Sequence, residues 1–149
     1  MTNVKDAQAA LIGLQITNVR LSERMRWPLW RHAAAGLLMT LIVVSVGLPR
    51  GLATFILLMA IVLTIAIVRD DKKRYGMFVS GYQRGRAAWV TGAIIALNLS
   101  AVIFVRTLVD NAVVNAMFWL VVAIVFLGTS MLSIAWERVY RHDIRKGGI

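Results

Sequence analysis

Four stretches of this chain contain no Asp, Glu, Lys or Arg: residues 32–48, 51–68, 87–105 and 112–136. An apolar helix rises 1.5 Å per residue, so about 20 residues cross the ~30 Å hydrocarbon core of a bilayer. Lipid offers the backbone no hydrogen-bond partners, which restricts a spanning segment to a helix or a closed barrel. The apolar–polar alternation of a barrel strand is absent from all four stretches. Of the 149 residues, 59% are hydrophobic and 16% charged, with a mean hydropathy of +0.72. A water-soluble chain this small could not hide so much hydrocarbon. The expected fold is therefore all-α: a single integral membrane domain, residues 1–149, built as a four-helix transmembrane bundle.

The basic residues predict the topology. Fifteen of the 17 Lys and Arg lie before the first span, between the second and third, or after the fourth; Arg50 and Arg106 alone occupy the other two connections. Positive charge is retained in the cytoplasm, so both termini and the middle loop are expected there, in a prokaryotic inner membrane. Trp27, Trp30, Tyr75, Trp89, Trp136 and Tyr140 fall at the same boundary, where half-polar rings favour the headgroup level. Arg24, Arg26, Arg31, Lys72, Lys73, Arg74, Arg84 and Arg86 are the expected contacts to anionic headgroups. The connections on the other side are short; Leu48-Pro49-Arg50-Gly51 predicts a tight hairpin between spans one and two.

The first apolar run starts beyond residue 30 with no small-residue cleavage site after it, so no cleaved signal peptide is expected. Residues 1–27 read instead as an amphipathic cytoplasmic helix, with Ala7, Leu11, Leu14, Leu21 and Met25 at helical spacing and Ile12, Ile16 and Val19 widening the apolar arc. Thr2 or Asn3 suits its cap. Two roles stay open, a helix lying on the membrane surface and a docking helix for a partner or second copy. Pro28 marks a break or the first turn of the next helix. Residues 137–149 read as a basic cytoplasmic tail.

Within the third span, Ala88, Gly92, Ala96 and Ser100 recur every four residues, a spacing that lets helix backbones approach. Thr91 and Asn98 form a separate polar stripe, and Val90, Ile94, Leu97, Ala101 and Phe104 a face suited to lipid. This pattern predicts a helix between two protein neighbours, with Asn98 bonding across helices. In the fourth span Thr129, Ser130 and Ser133 follow Gly128; hydroxyls are cheap in lipid because they can bond back to their own helix. Ala33, Ala34, Ala35 and Gly36 mark another point of close approach.

Reactive chemistry is sparse. No cysteine exists for a thiolate nucleophile or metal site. His32 and His142 belong to no metal motif, and neither GxSxG nor a P-loop is present. The acids Asp70 and Asp71 run straight into Lys72-Lys73-Arg74, which predicts a solvated charge cluster. No carboxylate sits mid-span to serve proton-coupled transport, and no arginine series serves voltage sensing. Arg106 and Asp110 are spaced for a surface i,i+4 pair. The basic middle loop interleaves Tyr75, Phe78 and Tyr82, but its tether to the bilayer favours headgroups over nucleic acid.

The segments "RMRWPLWRH" and "SGYQRGRAAW" resemble features of small uncharacterised four-span bacterial membrane proteins. The resemblance covers the starts of the first and third spans and implies no activity. The expected function is non-enzymatic, without metal, cofactor or nucleic acid. It is an accessory or scaffold subunit acting through helix–helix and lipid contacts, on another membrane protein or on its own copies. The alternative is a small homo-oligomeric channel or transporter with a polar path near Asn98.

Overall fold

Pro49 cannot continue the helix before it, and the chain reverses there within three residues. Gly47 N–H donates to the Val44 carbonyl at 3.0 Å and Ala53 N–H to the Pro49 carbonyl at 2.9 Å, closing one helix and opening the next. A computed structural model describes residues 4–24, 26–75, 86–109 and 116–145. These form α1 (Val4–Arg24), α2 (Leu29–Val46), α3 (Arg50–Tyr75), α4 (Arg86–Val109) and α5 (Ala116–Arg145). Helices α2 to α5 are each long and apolar enough to cross a membrane, so the chain is a multi-pass, all-helical membrane protein.

The centre of the bundle is the pair α2 and α5, which run antiparallel. Helix α3 packs on α2, α4 packs on both α5 and α2, and α1 lies against α5. Val43, Ala101, Val105, Phe118 and Val125 form the apolar core where α2 ends, α4 ends and α5 begins. We call this the turn end, and the opposite one, where α2 and α4 start and α3 and α5 finish, the basic end. Pro28 caps α2 with extended backbone (φ −68°, ψ 153°), placing it before the first turn.

Two glycines set how closely α5 approaches α2. A Cβ at Gly47 would lie 2.5 Å from the Phe118 ring; one at Gly36 would overlap Ser130 Oγ and stand 2.8 Å from the Phe126 carbonyl oxygen. Gly92 of α4 is the contrast, because a Cβ there meets nothing within 4 Å. Gly36→Ala is therefore expected to lower stability by roughly 1–3 kcal/mol through overpacking against backbone that cannot yield. Gly92→Ala should raise it by a few tenths to about 1 kcal/mol through helix propensity alone. Thermal unfolding of the two variants in one detergent checks the opposite signs.

Two sequence expectations need correction. On α4 the small-residue stripe Ala88, Gly92, Ala96 and Ser100 is exposed, whereas Ala87, Ala101 and Val105 are buried and Val90, Thr91, Ile94, Leu97 and Asn98 are half-buried. The face assigned to lipid thus largely packs inside, and the stripe assigned to packing is uncovered by this chain. The reason is angular. Residues four apart advance 400°, so each step turns the stripe by 40°, while residues 87, 94 and 101 or 91, 98 and 105 drift only ~20° per seven. A long contact with a neighbouring helix follows the second pattern. The other correction concerns residues 137–149: α5 continues without interruption to Arg145, so the stretch after Trp136 is helix for most of its length. At 1.5 Å per residue its 30 residues span about 45 Å, well beyond the ~30 Å core.

Candidate functional site

The basic end holds a polar cluster that four helices assemble. On α2 the buried residues His32, Gly36, Thr40 and Val43 share one face. On α5 the buried Thr129, Ser133 and Glu137 extend the stripe begun by Phe118 and Val125. Antiparallel packing brings the two polar stripes together. Glu137 Oε2 accepts from His32 Nε2 at 3.0 Å, and Ser133 Oγ lies 2.9 Å from His32 Nδ1. A carboxylate only accepts, so the Glu137 contact takes a proton on Nε2, while the Ser133 hydroxyl can donate to or accept from Nδ1. The second Glu137 oxygen accepts a longer bond, 3.4 Å, from Arg141 Nη1 one turn on.

Beside this triad, Arg31 of α2 grips Asp71 of α3. Its Nε donates to Oδ1 at 3.1 Å and its Nη2 to Oδ2 at 3.0 Å, a two-point fork between side chains only 11% and 6% exposed. Such planar pairing is specific to arginine and stronger than a single charged bond. The Arg31 guanidinium also sits 4.8 Å over the Trp27 ring. Trp27 stacks on Trp136 at 5.2 Å, and Trp136 on Tyr140 at 4.9 Å. The cluster joins α2 to α3 and α5 where the helices reach the membrane boundary. Thr129 connects it to α4, accepting a long 3.4 Å bond from Asn98 Nδ2, which also donates to the Ile94 carbonyl at 2.8 Å.

Above the cluster lies a cavity of about 200 Å³ among α2, α3, α4 and α5. Arg31 and Leu38 of α2, Thr64 and Ile67 of α3, Ile94 of α4 and Thr129 of α5 contribute to its wall. Among the described residues no three His, Asp or Glu converge as metal ligands.

No protein-family model, curated protein or solved structure matches the chain.

The structure redistributes the residues singled out from sequence. Thr129, Ser130 and Ser133 do face the interior: Thr129 and Ser133 join the cluster, and Ser130 packs under Gly36 with its Oγ buried and unpartnered. Thr91 donates back to the Ala87 carbonyl at 3.2 Å. Of the expected headgroup contacts, Arg26, Lys72, Lys73 and Arg86 are exposed. Arg74 is half-exposed, bonded to Asp70 at 2.7 Å and 5.8 Å over the Trp30 ring. Arg31 is a correction, since its fork to Asp71 withdraws it from the surface. Asp71 is another: it is buried, and Asp70 alone keeps the solvated role. Trp136 is buried too, 4% exposed, stacked between Trp27 and Tyr140. Leu11, Ile12, Ile16 and Val19 leave the apolar arc of α1 largely uncovered. Residues 1–3, 25, 76–85, 110–115 and 146–149 lie outside the described residues, and with them the caps Thr2 and Asn3, Met25, Arg84, Phe78, Tyr82 and the Arg106–Asp110 pair. The side chains of Leu14, Leu21 and Arg24 lie outside them as well.

The sequence reading missed His32 and Glu137 as partners. A signal existed: His32-x₃-Gly36-x₃-Thr40 on one span and Thr129-x₃-Ser133-x₃-Glu137 on another. Both are stripes of small or polar residues at four-residue spacing, as an interior membrane-helix face should be.

Proposed function

We propose that this chain is a non-enzymatic accessory or scaffold subunit of a prokaryotic inner membrane, with both termini in the cytoplasm, working through helix–helix and lipid contacts. The observation that carries this is the outer face of α4. Ala88, Gly92, Ala96 and Ser100 line a shallow strip that this chain leaves uncovered, and a Cβ at Gly92 would touch nothing. Lipid gains little from a strip of small residues, whereas another helix gains close backbone contact.

The basic end supports the same reading. Its acids pair with bases, Asp71 with Arg31, Glu137 with His32 and Arg141, Asp70 with Arg74. That arrangement ties α2 to α3 and α5, and burial of His32, Ser133 and Glu137 between the helices supports a structural role for their hydrogen-bonded chain. A polar path past Asn98 has less to stand on, because its amide nitrogen is spent on Ile94 and Thr129 and turned toward α5.

The test is extraction from native membranes in mild detergent followed by native mass spectrometry. A stoichiometric companion, either a second copy or another membrane protein, is expected with the wild-type chain. Gly92→Leu combined with Ala96→Leu should reduce that complex at least tenfold while the thermal transition stays put. A wild-type chain that runs as a lone monomer, or a complex indifferent to both substitutions, would overturn the proposal.

A further inference from the structure

Helix α3 is held by α2, and neither of the helices nearest its other side, α4 and α5, packs substantially against it. The cavity at the basic end nevertheless has walls from both α3 and α4. It therefore occupies a cleft between two spans that do not close on each other, and in a bilayer such a cleft faces hydrocarbon. We propose that it is a defined site for one acyl chain of an anionic phospholipid from the adjoining leaflet. The inference rests on the membrane reading above and is independent of self-association.

Shape and charge both select this occupant. At about 200 Å³ the space is below the roughly 300–1,000 Å³ that enclose a drug-sized molecule, and a slim chain suits it better than a ring system. Leu38, Met39, Ile67, Val68 and Ile94 give it an apolar wall, while Arg31 stands at the basic end. The fork to Asp71 uses Nε and Nη2 of Arg31, which leaves the Nη1 edge of the guanidinium pointing away from that carboxylate. Lys72 is exposed and follows Val68 by one turn on the same helix face. Arg86, also exposed, opens α4 at this end. A phosphate above an inserted chain would meet these cations within its own headgroup layer, where basic residues attract anionic lipid. General attraction to the surface needs no cleft; this site adds a fixed chain position.

The experiment uses the full chain, purified and placed in nanodiscs, with phosphatidylglycerol carrying a photoreactive group on one acyl chain. Phosphatidylcholine with the same chain is the control, and adducts are mapped by mass spectrometry. Adducts are expected to concentrate on Leu38, Ile67 and Ile94, with phosphatidylglycerol labelling at least fivefold above phosphatidylcholine. Lys72→Gln should cut phosphatidylglycerol labelling about fivefold, the effect of removing one surface charge, and leave phosphatidylcholine unchanged. Ile94→Trp should fill the cleft and abolish the adducts; if that variant fails to fold, the wild-type map decides alone. Adducts spread along the outward Leu58, Ile61 and Ile65 of α3, or equal labelling by the two lipids, would overturn the site. Running the same map on Gly92→Leu keeps the outcome separate from that of the association test.

Discussion

Replacing Asp71 by Ala is expected to destabilise the bundle by about 3–5 kcal/mol, the usual consequence of leaving a buried charge without its partner. The loss should exceed what the pair itself contributes. Arg31 and Asp71 both gave up hydration to meet, and their mutual attraction largely offsets that cost. Asp71→Ala removes the attraction and keeps Arg31 in place, between Trp27 and the cavity, with its guanidinium desolvated. The double substitution Arg31→Met with Asp71→Leu removes both charges and keeps the volume, so it should recover most of the stability. Equilibrium unfolding in mixed micelles, read by helical circular dichroism, gives both numbers. A single variant as stable as wild type would mean that Arg31 reaches solvent without its partner. A double variant as weak as the single one would mean that the fork itself holds α3 to α2.

That pair also shows where the sequence stopped being informative. The spans themselves were legible because ~30 Å of hydrocarbon imposes a length and a composition that few other structures share. The hairpin at Pro49 was legible because proline removes a donor and fixes φ. Which face of each span turns inward was not, since inside and outside are both apolar in lipid and the hydrophobic period carries no contrast. The stripe at Ala88, Gly92, Ala96 and Ser100 shows the consequence: small residues mark a place for a helix neighbour without saying whether the neighbour belongs to the same chain. Asp71 was hidden for another reason. It stands 40 residues from Arg31, inside a run of six charges, Arg69 to Arg74, that reads as surface, and only the antiparallel closure of α2 on α3 separates it from Asp70 one position earlier.

Loss of Glu137 should be comparably severe and more diagnostic. Glu137→Ala removes the acceptor of His32 Nε2 and a long contact of Arg141 Nη1, and His32 is 3% exposed, so water cannot readily replace the acceptor lost to the ring. A buried donor left unsatisfied costs about 1–3 kcal/mol, and more when the bond involves charge, so the loss is expected at about 3 kcal/mol, most of it from His32. Glu137→Gln separates the contributions, because its amide oxygen still accepts from His32 while the negative charge is gone. It should retain about half of the stability that Ala forfeits, as neutral hydrogen bonds are roughly half as strong as charged ones. A cycle with His32→Ala then isolates the pair: residues in one buried network couple by about 0.5–3 kcal/mol. Coupling near zero would show that Glu137 acts through Arg141 on its own helix. Strong coupling would show that the bond between His32 and Glu137 joins α2 to α5.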